Sequence, residues 1–322
     1  MMGKLPPEVL DELVVSRTGA DDDRVRRGPA YGEDSAAIDL GEETLVVSTD
    51  PISMAVERIG SLGVYVACND VAASGGTPEW LTSVVFLPDA TEGVLEEITH
   101  QLDAAANRQG VSIVGGHTED APGLSDPRLS LTCLGLADRY VPTSGAQPGE
   151  KLLLTKGAGI EGTAILATDF RSEMEASVSE EHIAKGESCF GDVGIAEEAA
   201  IVSEHASAMH DPTEGGVLNG LMEMAIASGV SLGVRPERIP IRPETEVICR
   251  AIGVDPLRIF GSGALLAAVP EGSVETVSAR LTAAGIEHAT IGTVRETDEP
   301  EVRLGSDRLS EPIRDEMYDL WE

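Results

Sequence analysis

Three aspartates stand where the surrounding pattern is otherwise apolar. Asp34 lies in Gly32-Glu33-Asp34-Ser35-Ala36, Asp50 closes Val47-Ser48-Thr49-Asp50-Pro51, and Asp70 follows Asn69 inside a helical run. A carboxylate carried into a buried segment neutralises, pairs with a cation or binds a metal. Magnesium takes one or two carboxylates together with substrate phosphates and retained waters. Read jointly, Asp34, Asp50 and Asp70 mark the metal side of a phosphate-handling site.

Several glycine turns offer a phosphate side. Gly115-Gly116-His117-Thr118 follows a strand and presents backbone N–H groups without Cβ obstruction, as a phosphate cradle requires and as a plain turn also would. Asp211-Pro212-Thr213-Glu214-Gly215-Gly216 reads as a helix N-terminus, which attracts anions or is simply capped. Lys156-Gly157-Ala158-Gly159 also follows a strand but lacks the full Walker A pattern. Gly261-Ser262-Gly263 is by itself a tight turn. His117 is either a general base or a hydrogen-bonding loop histidine. Cys189 is a candidate nucleophile with nothing near it in sequence to activate it. Cys68, Cys133, Cys189 and Cys249 show no Cys-x-x-Cys spacing, which reads as free, buried thiols in a reducing compartment.

The elements that must position these residues follow from periodicity and breakers. A short helix is expected over 8–17, between Pro6-Pro7 and Gly19. Strands are expected at 44–49, ending at Pro51, then at 80–87 and 111–114, the last feeding a Gly115–Thr118 loop, and at 128–137. Helices are expected over 59–74, stopped by Gly75-Gly76, and over 91–109, capped by Thr91. Residues 143–149 read as a linker between two domains, 1–147 and 148–322. In the second, strands at 151–155, 230–235, 264–269 and 288–294 alternate with helices from Glu161, at 194–206, 217–228, 244–251 and 273–284. Residues 171–192 read as polar and partly mobile, and Arg314–Glu322 as an acidic amphipathic tail. The whole is a mixed α/β (α+β) pattern with meander-like returns and no Rossmann alternation.

Composition narrows the function classes. The net charge of −33 argues against a nucleic-acid surface, which needs clustered Lys and Arg. No apolar run approaches the roughly 20 residues of a membrane span, and Met1–Pro7 has no signal-peptide core, so a cytoplasmic protein is expected. With lysine only at 4, 151, 156 and 185, and aromatics at 3%, the composition suits concentrated salt, which screens self-repulsion. A halophilic protein is the expectation, with loss of structure on dialysis to low salt; an unchanged melting curve would count against it.

Taken in order, Gly32–Ala37, Ser48-Thr49-Asp50, Asn69–Gly76, Gly115–Glu119, His210–Gly216 and Gly261–Leu266 resemble the AIR synthase (PurM-like) superfamily over residues 30–295. That group includes aminoimidazole ribonucleotide synthase, the hydrogenase-maturation protein HypE, selenophosphate synthetase and thiamine-monophosphate kinase. The Asp-Pro-Thr-Glu-Gly-Gly and Gly-Ser-Gly-Ala-Leu-Leu runs look closest to the HypE branch. The resemblance implies ATP with Mg2+, transfer of the γ-phosphoryl group, and a two-domain fold. Its N-terminal mixed-sheet domain would dimerise into a β-barrel, with a C-terminal α/β domain closing the nucleotide cleft. Carried over residue by residue, Asp34, Asp50, Asp70 and Asp211 would ligate magnesium. Asn69, Gly115, Gly116, His117, Thr118, Thr213, Gly215 and Gly216 would contact the nucleotide, with Asp70 and His117 catalytic.

The sequence also departs from the relatives. HypE chains end in a Pro-Arg-Ile-Cys-like tail whose cysteine carries a carbamoyl group, whereas this sequence ends Asp319-Leu320-Trp321-Glu322. It has no selenophosphate-type N-terminal loop, and His117 replaces the Asp of the thiamine-monophosphate kinase pattern. The expectation is a HypE-like, ATP-dependent homodimer that phosphorylates an amide or carbonyl oxygen of an unknown acceptor. The alternatives are a thiamine-monophosphate-type small-molecule kinase and a nucleotide-binding partner protein without turnover.

Overall fold

Fourteen of the fifteen residues of one helix, Ile59–Ala73, are buried, and the two halves of the chain are built around it. The computed structural model describes residues 3–54, 57–88 and 92–322; Thr91, the expected cap, lies outside them. The first half comprises α1 (Pro7–Leu10), β1 (Val25–Arg27), β2 (Ala36–Asp39), β3 (Thr44–Ile52), α2 (Ile59–Ala73), β4 (Thr77–Leu87), α3 (Glu92–Gln109), β5 (Ser112–Asp120) and β6 (Arg128–Ala137). Its strands form one sheet in the order β1-β2-β3-β6-β4-β5. The pairs are antiparallel except β4 with β5. The strict alternation of burial along β6 shows one face toward the core, and α2 packs there against β3, β6 and α3. Because α2 is apolar on all sides, it needs a second cover. The second half supplies it, and one core runs from Leu62, Val66 and Leu131 through Ile160, Ile165 and Ile248.

That second half comprises β7 (Lys151–Thr155), α4 (Ile160–Asp169), α5 (Arg171–Met174), α6 (Glu180–Ser188), α7 (Ala196–Ser203), β8 (Ala208–His210), α8 (Gly216–Ser228), β9 (Ser231–Val234), α9 (Pro243–Ile252), β10 (Leu266–Val269), α10 (Val274–Ala283), β11 (His288–Arg295), β12 (Glu301–Leu304) and β13 (Asp307–Leu309). The sheet order is β13-β12-β9-β11-β7-β10-β8. The unbroken apolar run of β10 is covered on both faces, as such runs require. Leu266 and Ala268 meet Val217 and Leu221 of α8, while Ala267 and Val269 meet Val202 of α7 and Leu281 of α10. No helix among the described residues is long and apolar enough to cross a membrane.

Three expectations are corrected. β3 does not stop at Pro51 but runs to Ile52, with Pro51 facing Ser130. Residues 112–120 form one continuous strand through the double glycine, so Gly115–Thr118 is not a loop. A register shift opposite Leu81 and Thr82 takes up the extra residue there. Residues 171–192 are not loosely held: α5, α6 and a 3-10 turn bury Met174, Ile183 and Cys189. The C-terminal stretch is docked too, with Tyr318 and Trp321 against Phe260 and Trp321 edge-on to Phe170 at 5.1 Å.

Candidate active site

α2, β3, the turn before β2 and the end of β8 bring Asp70, Asp50, Asp34 and Asp211 to one cavity of about 350 Å³ between the halves. Eight carboxylates line it: Glu33, Asp34, Asp50, Asp70, Glu161, Asp211, Glu214 and Glu223. Among the described residues, two cationic side chains, Lys4 and His210, accompany them. A polyphosphate entering such a cavity requires added positive charge.

Burial raises three of these aspartates, Asp34, Asp70 and Asp211. Asp70 is held well above the usual carboxylate range, first by burial and then by Asp50, Asp34 and Asp211 around it. Its Oδ2 accepts a hydrogen bond from Ser48 Oγ at 2.5 Å. Asp211 is raised by burial, then by Asp34 and Glu161; His210 and Asn69 offset part of this. Both Asp211 carboxylate oxygens are buried without a well-formed hydrogen bond, the Asn69 side chain near them easing the burial only in part. Asp34 is raised too, first by burial, but His210 and the Asp211 backbone oppose that rise: its Oδ1 lies 2.7 Å from His210 Nδ1 and its Oδ2 accepts the Asp211 N–H at 3.3 Å.

His210 in turn stands between two carboxylates, with Nε2 3.1 Å from Glu223 Oε2. Burial alone would depress the imidazole, but Asp34 and Glu223 reverse this and hold it up at about 10. Burial would raise Glu223, yet Lys4 and His210 bring it down to about 2. Lys4 Nζ closes the chain of charges at 2.9 Å from Glu223 Oε1.

Among the described residues no three His, Cys, Asp or Glu side chains already form a group able to hold a metal ion. The donor set nevertheless fits magnesium, which draws on few protein carboxylates and completes its shell with phosphate and water. Asp211 supplies two oxygens without a well-formed hydrogen bond and Asp70 a carboxyl whose charge a cation would stabilise.

The remaining candidates divide. Thr213 lines the cavity. The Gly215 N–H is taken by Asp315 Oδ2 at 2.7 Å and the Gly216 N–H by Thr213 O at 3.0 Å, so neither amide is free for phosphate. Asn69 does not line the cavity; it joins the halves, donating to Val193 O at 2.9 Å and accepting from Ile195 N at 3.0 Å. Gly115, Gly116, His117 and Thr118 lie on exposed β5, outside the cavity. His117 is 64% exposed in its side chain and 3.0 Å from Glu119 Oε2, so it is no general base beside Asp70. Cys189 is buried and pushed up to about 11, mainly by burial, which disfavours a thiolate nucleophile. All four cysteines are free.

A larger cavity, about 910 Å³, lies apart from the acidic one beside Arg108, Lys156 and Arg242. Lys156 there is already bonded to Asp192 O, Gly194 O and Glu198, and Arg242 to Asp192. No unpartnered buried polar side chain lines it among the described residues.

Periodicity did not single out His210, Glu223, Lys4, Glu161 or Ser262 as site residues. His210 adjoins Asp211 in the Asp-Pro-Thr motif, and Lys4 is one of four lysines in the chain. Glu223 and Glu161 carry no local signal, being single acids within helical patterns.

Comparison with known proteins follows the same division. The model of the AIR synthase related protein N-terminal domain matches residues 32–137, and that of the C-terminal domain matches residues 147–305. A carbamoyl dehydratase HypE from Azotobacter vinelandii is 32% identical over 273 residues, spanning 81% of this chain and 78% of that protein. Among solved structures, AaThiL complexed with AMPPCP and TMP has a TM-score of 0.78 at 19% identity, over 98% of this chain and 99% of that one. The hydrogenase maturation protein HypE in complex with ATP has a TM-score of 0.70 at 22% identity, over 95% and 93%.

Proposed function

The chain belongs to the AIR synthase-related family, and on that premise we propose that it is a HypE-like, ATP- and magnesium-dependent enzyme transferring a γ-phosphoryl group to an amide or carbonyl oxygen. The observation that carries the reading is the Asp211 carboxylate, 1% exposed and without a well-formed hydrogen bond on either oxygen, in one cavity with the strongly raised Asp70. Asp50, Asp70 and Asp211 would hold magnesium. Asp34, committed to His210 and to the Asp211 backbone, steadies Asp211 from behind. The ion would neutralise phosphate charge as the γ-phosphoryl group leaves ADP. The chain's own residues supply placement: α2 and β8 fix the carboxylates on either side of the domain junction, and Lys4 and Thr213 lie at the same cavity.

Asp70→Asn and Asp211→Asn test the site by calorimetric titration of ATP with and without magnesium. Magnesium-dependent binding is expected in the parent and is expected to fall at least tenfold, about 1.4 kcal/mol, in both variants with circular dichroism unchanged. Undiminished binding would sink the assignment. Inorganic phosphate released from a transient intermediate fits the HypE-like reading, whereas a stable phosphorylated product would indicate the thiamine-monophosphate-type kinase. ATP bound with no ADP formed would indicate a partner protein without turnover.

The homodimer belongs to the same proposal. β5 is an edge strand exposed along its whole length, with Ile113 43% and Val114 59% exposed, and such edges are normally covered. A second copy packed there would cover the edge and carry Gly115–Thr118 to a neighbouring site. Val114→Lys is expected to give a monomer in sedimentation; an unchanged mass argues against this face.

A further inference from the structure

The turn Lys156-Gly157-Ala158-Gly159, which no part of the proposed reaction uses, holds the one non-glycine residue with left-handed backbone among the described residues. Lys156 has φ 53°, a conformation that glycine adopts without steric cost and a residue with a Cβ does not. A side chain kept on such a backbone is held there by what it contacts. A lysine ammonium has three N–H donors, and three acceptors stand around this one: Asp192 O at 2.8 Å, Gly194 O at 2.7 Å and Glu198 Oε1 at 2.8 Å. The segment it grips is gripped again from the other side. Asn69 of α2 donates to Val193 O at 2.9 Å and accepts the Ile195 N–H at 3.0 Å. Successive residues from 192 to 195 thus bond alternately to Lys156 and to Asn69. Asn69 immediately precedes Asp70, and its side chain also eases the burial of Asp211.

We infer that Lys156 is a positioning residue: by holding the carbonyls of Asp192 and Gly194 it fixes the segment that sets Asn69, and through Asn69 the spacing of Asp70 and Asp211 across the domain junction. The inference rests on the proposed magnesium site and adds a residue on which that site depends from outside. Lys156 does not line the acidic cavity; it lies at the larger one, with Asp192 and Gly194. Its side chain is 13% exposed and that of Glu198 4%, so each charge needs the other. An ammonium suits the task, because a neutral side chain would satisfy fewer carbonyls and leave Glu198 charged and buried. Magnesium demands near-ideal octahedral geometry. Small displacements of Asp70 relative to Asp211 therefore register as weaker metal binding before they register as a lost fold.

Removing the ammonium alone would strand Glu198, so the test compares the double variant Lys156→Met, Glu198→Gln with Glu198→Gln, which keeps the grip on both carbonyls. The magnesium concentration giving half-maximal ATP binding, read by calorimetry on the full chain, is expected to rise about tenfold in the double variant. In Glu198→Gln it is expected to stay within about twofold of the parent. Equal requirements in the two variants overturn the inference. The parent gives a second reading that does not depend on the double variant folding. By linkage, magnesium and ATP bound in the acidic cavity should slow hydrogen exchange of the Ile195 amide and shift the Lys156 Cε resonance. No change in either at saturation also overturns the inference. If ATP fails to bind the parent, the nucleotide reading falls, and the Asn69 side-chain amide resonances decide the positioning. They shift in the double variant alone if Lys156 sets Asn69, and stay in place if it does not.

Discussion

Two glycine pairs, Gly115-Gly116 and Gly215-Gly216, look alike in the sequence and end in unlike places. The first lies on β5, exposed and at the sheet edge. The second stands at the start of α8, packed beneath the C-terminal stretch. At Gly215 the backbone is left-handed (φ +78°), and a Cβ would come within 2.4 Å of Ile313 O. At Gly116 a Cβ would meet Ser83 O at 2.1 Å, whereas at Gly115 the nearest atom would be Thr82 Cγ2 at 3.8 Å. Three of these glycines are explained by close backbone approach, whereas a side chain at Gly115 would make only ordinary van der Waals contact. A doubled glycine therefore reports first where two backbones meet. Whether it also faces a phosphate depends on what stands opposite.

That contrast can be broken by substitution. The largest effect is expected from Gly215→Val, where left-handed backbone and collision act together. It should cost more than about 3 kcal/mol in urea denaturation or abolish soluble protein. Gly115→Ala should stay within about 0.5 kcal/mol of the parent. Similar losses at both positions would mean that β5 is packed more tightly than the structure shows.

Next in size is Asn69→Ala, which leaves Val193 O and Ile195 N without their side-chain partner at the buried domain junction. A loss of about 2–4 kcal/mol is expected, with a smaller effect on nucleotide binding than Asp70→Asn. The reverse order would return Asn69 to the phosphate site.

Glu161→Gln gives a pH-dependent effect. The folded state holds the Glu161 proton up to about pH 7, against an ordinary value of 4.5. Between those two pH values the folded state binds more protons than the unfolded one, so Glu161 makes stability fall as pH rises. The variant lacks that slope and should be more stable than the parent above pH 7, by about 3 kcal/mol. Melting curves from pH 4 to 8 that stay parallel for the two proteins would show Glu161 to be unperturbed.

His117→Ala should be the smallest, within about 0.5 kcal/mol in stability and without effect on magnesium-dependent ATP affinity of the separate chain. A large loss of affinity would place His117 in a site that only a second copy completes.

Much of the framework was legible because it is local. The bounds of α2, β6 and α8 follow from apolar periodicity and from the breakers at their ends, and the acids at 34, 50 and 70 stand out against apolar neighbours. β5 was not legible past Val114, since a double glycine reads as a turn unless the partner strand is known to bulge opposite it. Residues 171–192 read as mobile because their anchors Met174, Ile183 and Cys189 are spaced among polar residues, and only the faces of α4 and α9 give them a core.

By itself, the sequence determined the longer elements around α2 (β3, β4, β6 and α3) and α8, the acids that converge on one cavity, and the family resemblance; the short strands β1, β2, β8, β12 and β13 it did not. Tertiary structure decided that Asp34 belongs to His210, and that Lys4, Glu223, His210 and Asp34 form one chain of alternating charge. It also decided that Gly115–Thr118 stands apart from that cavity. The physical reason is distance along the chain. Periodicity reports which face of an element is buried, whereas pairing Lys4 with Glu223 spans 219 residues and exists only once both halves have closed on α2.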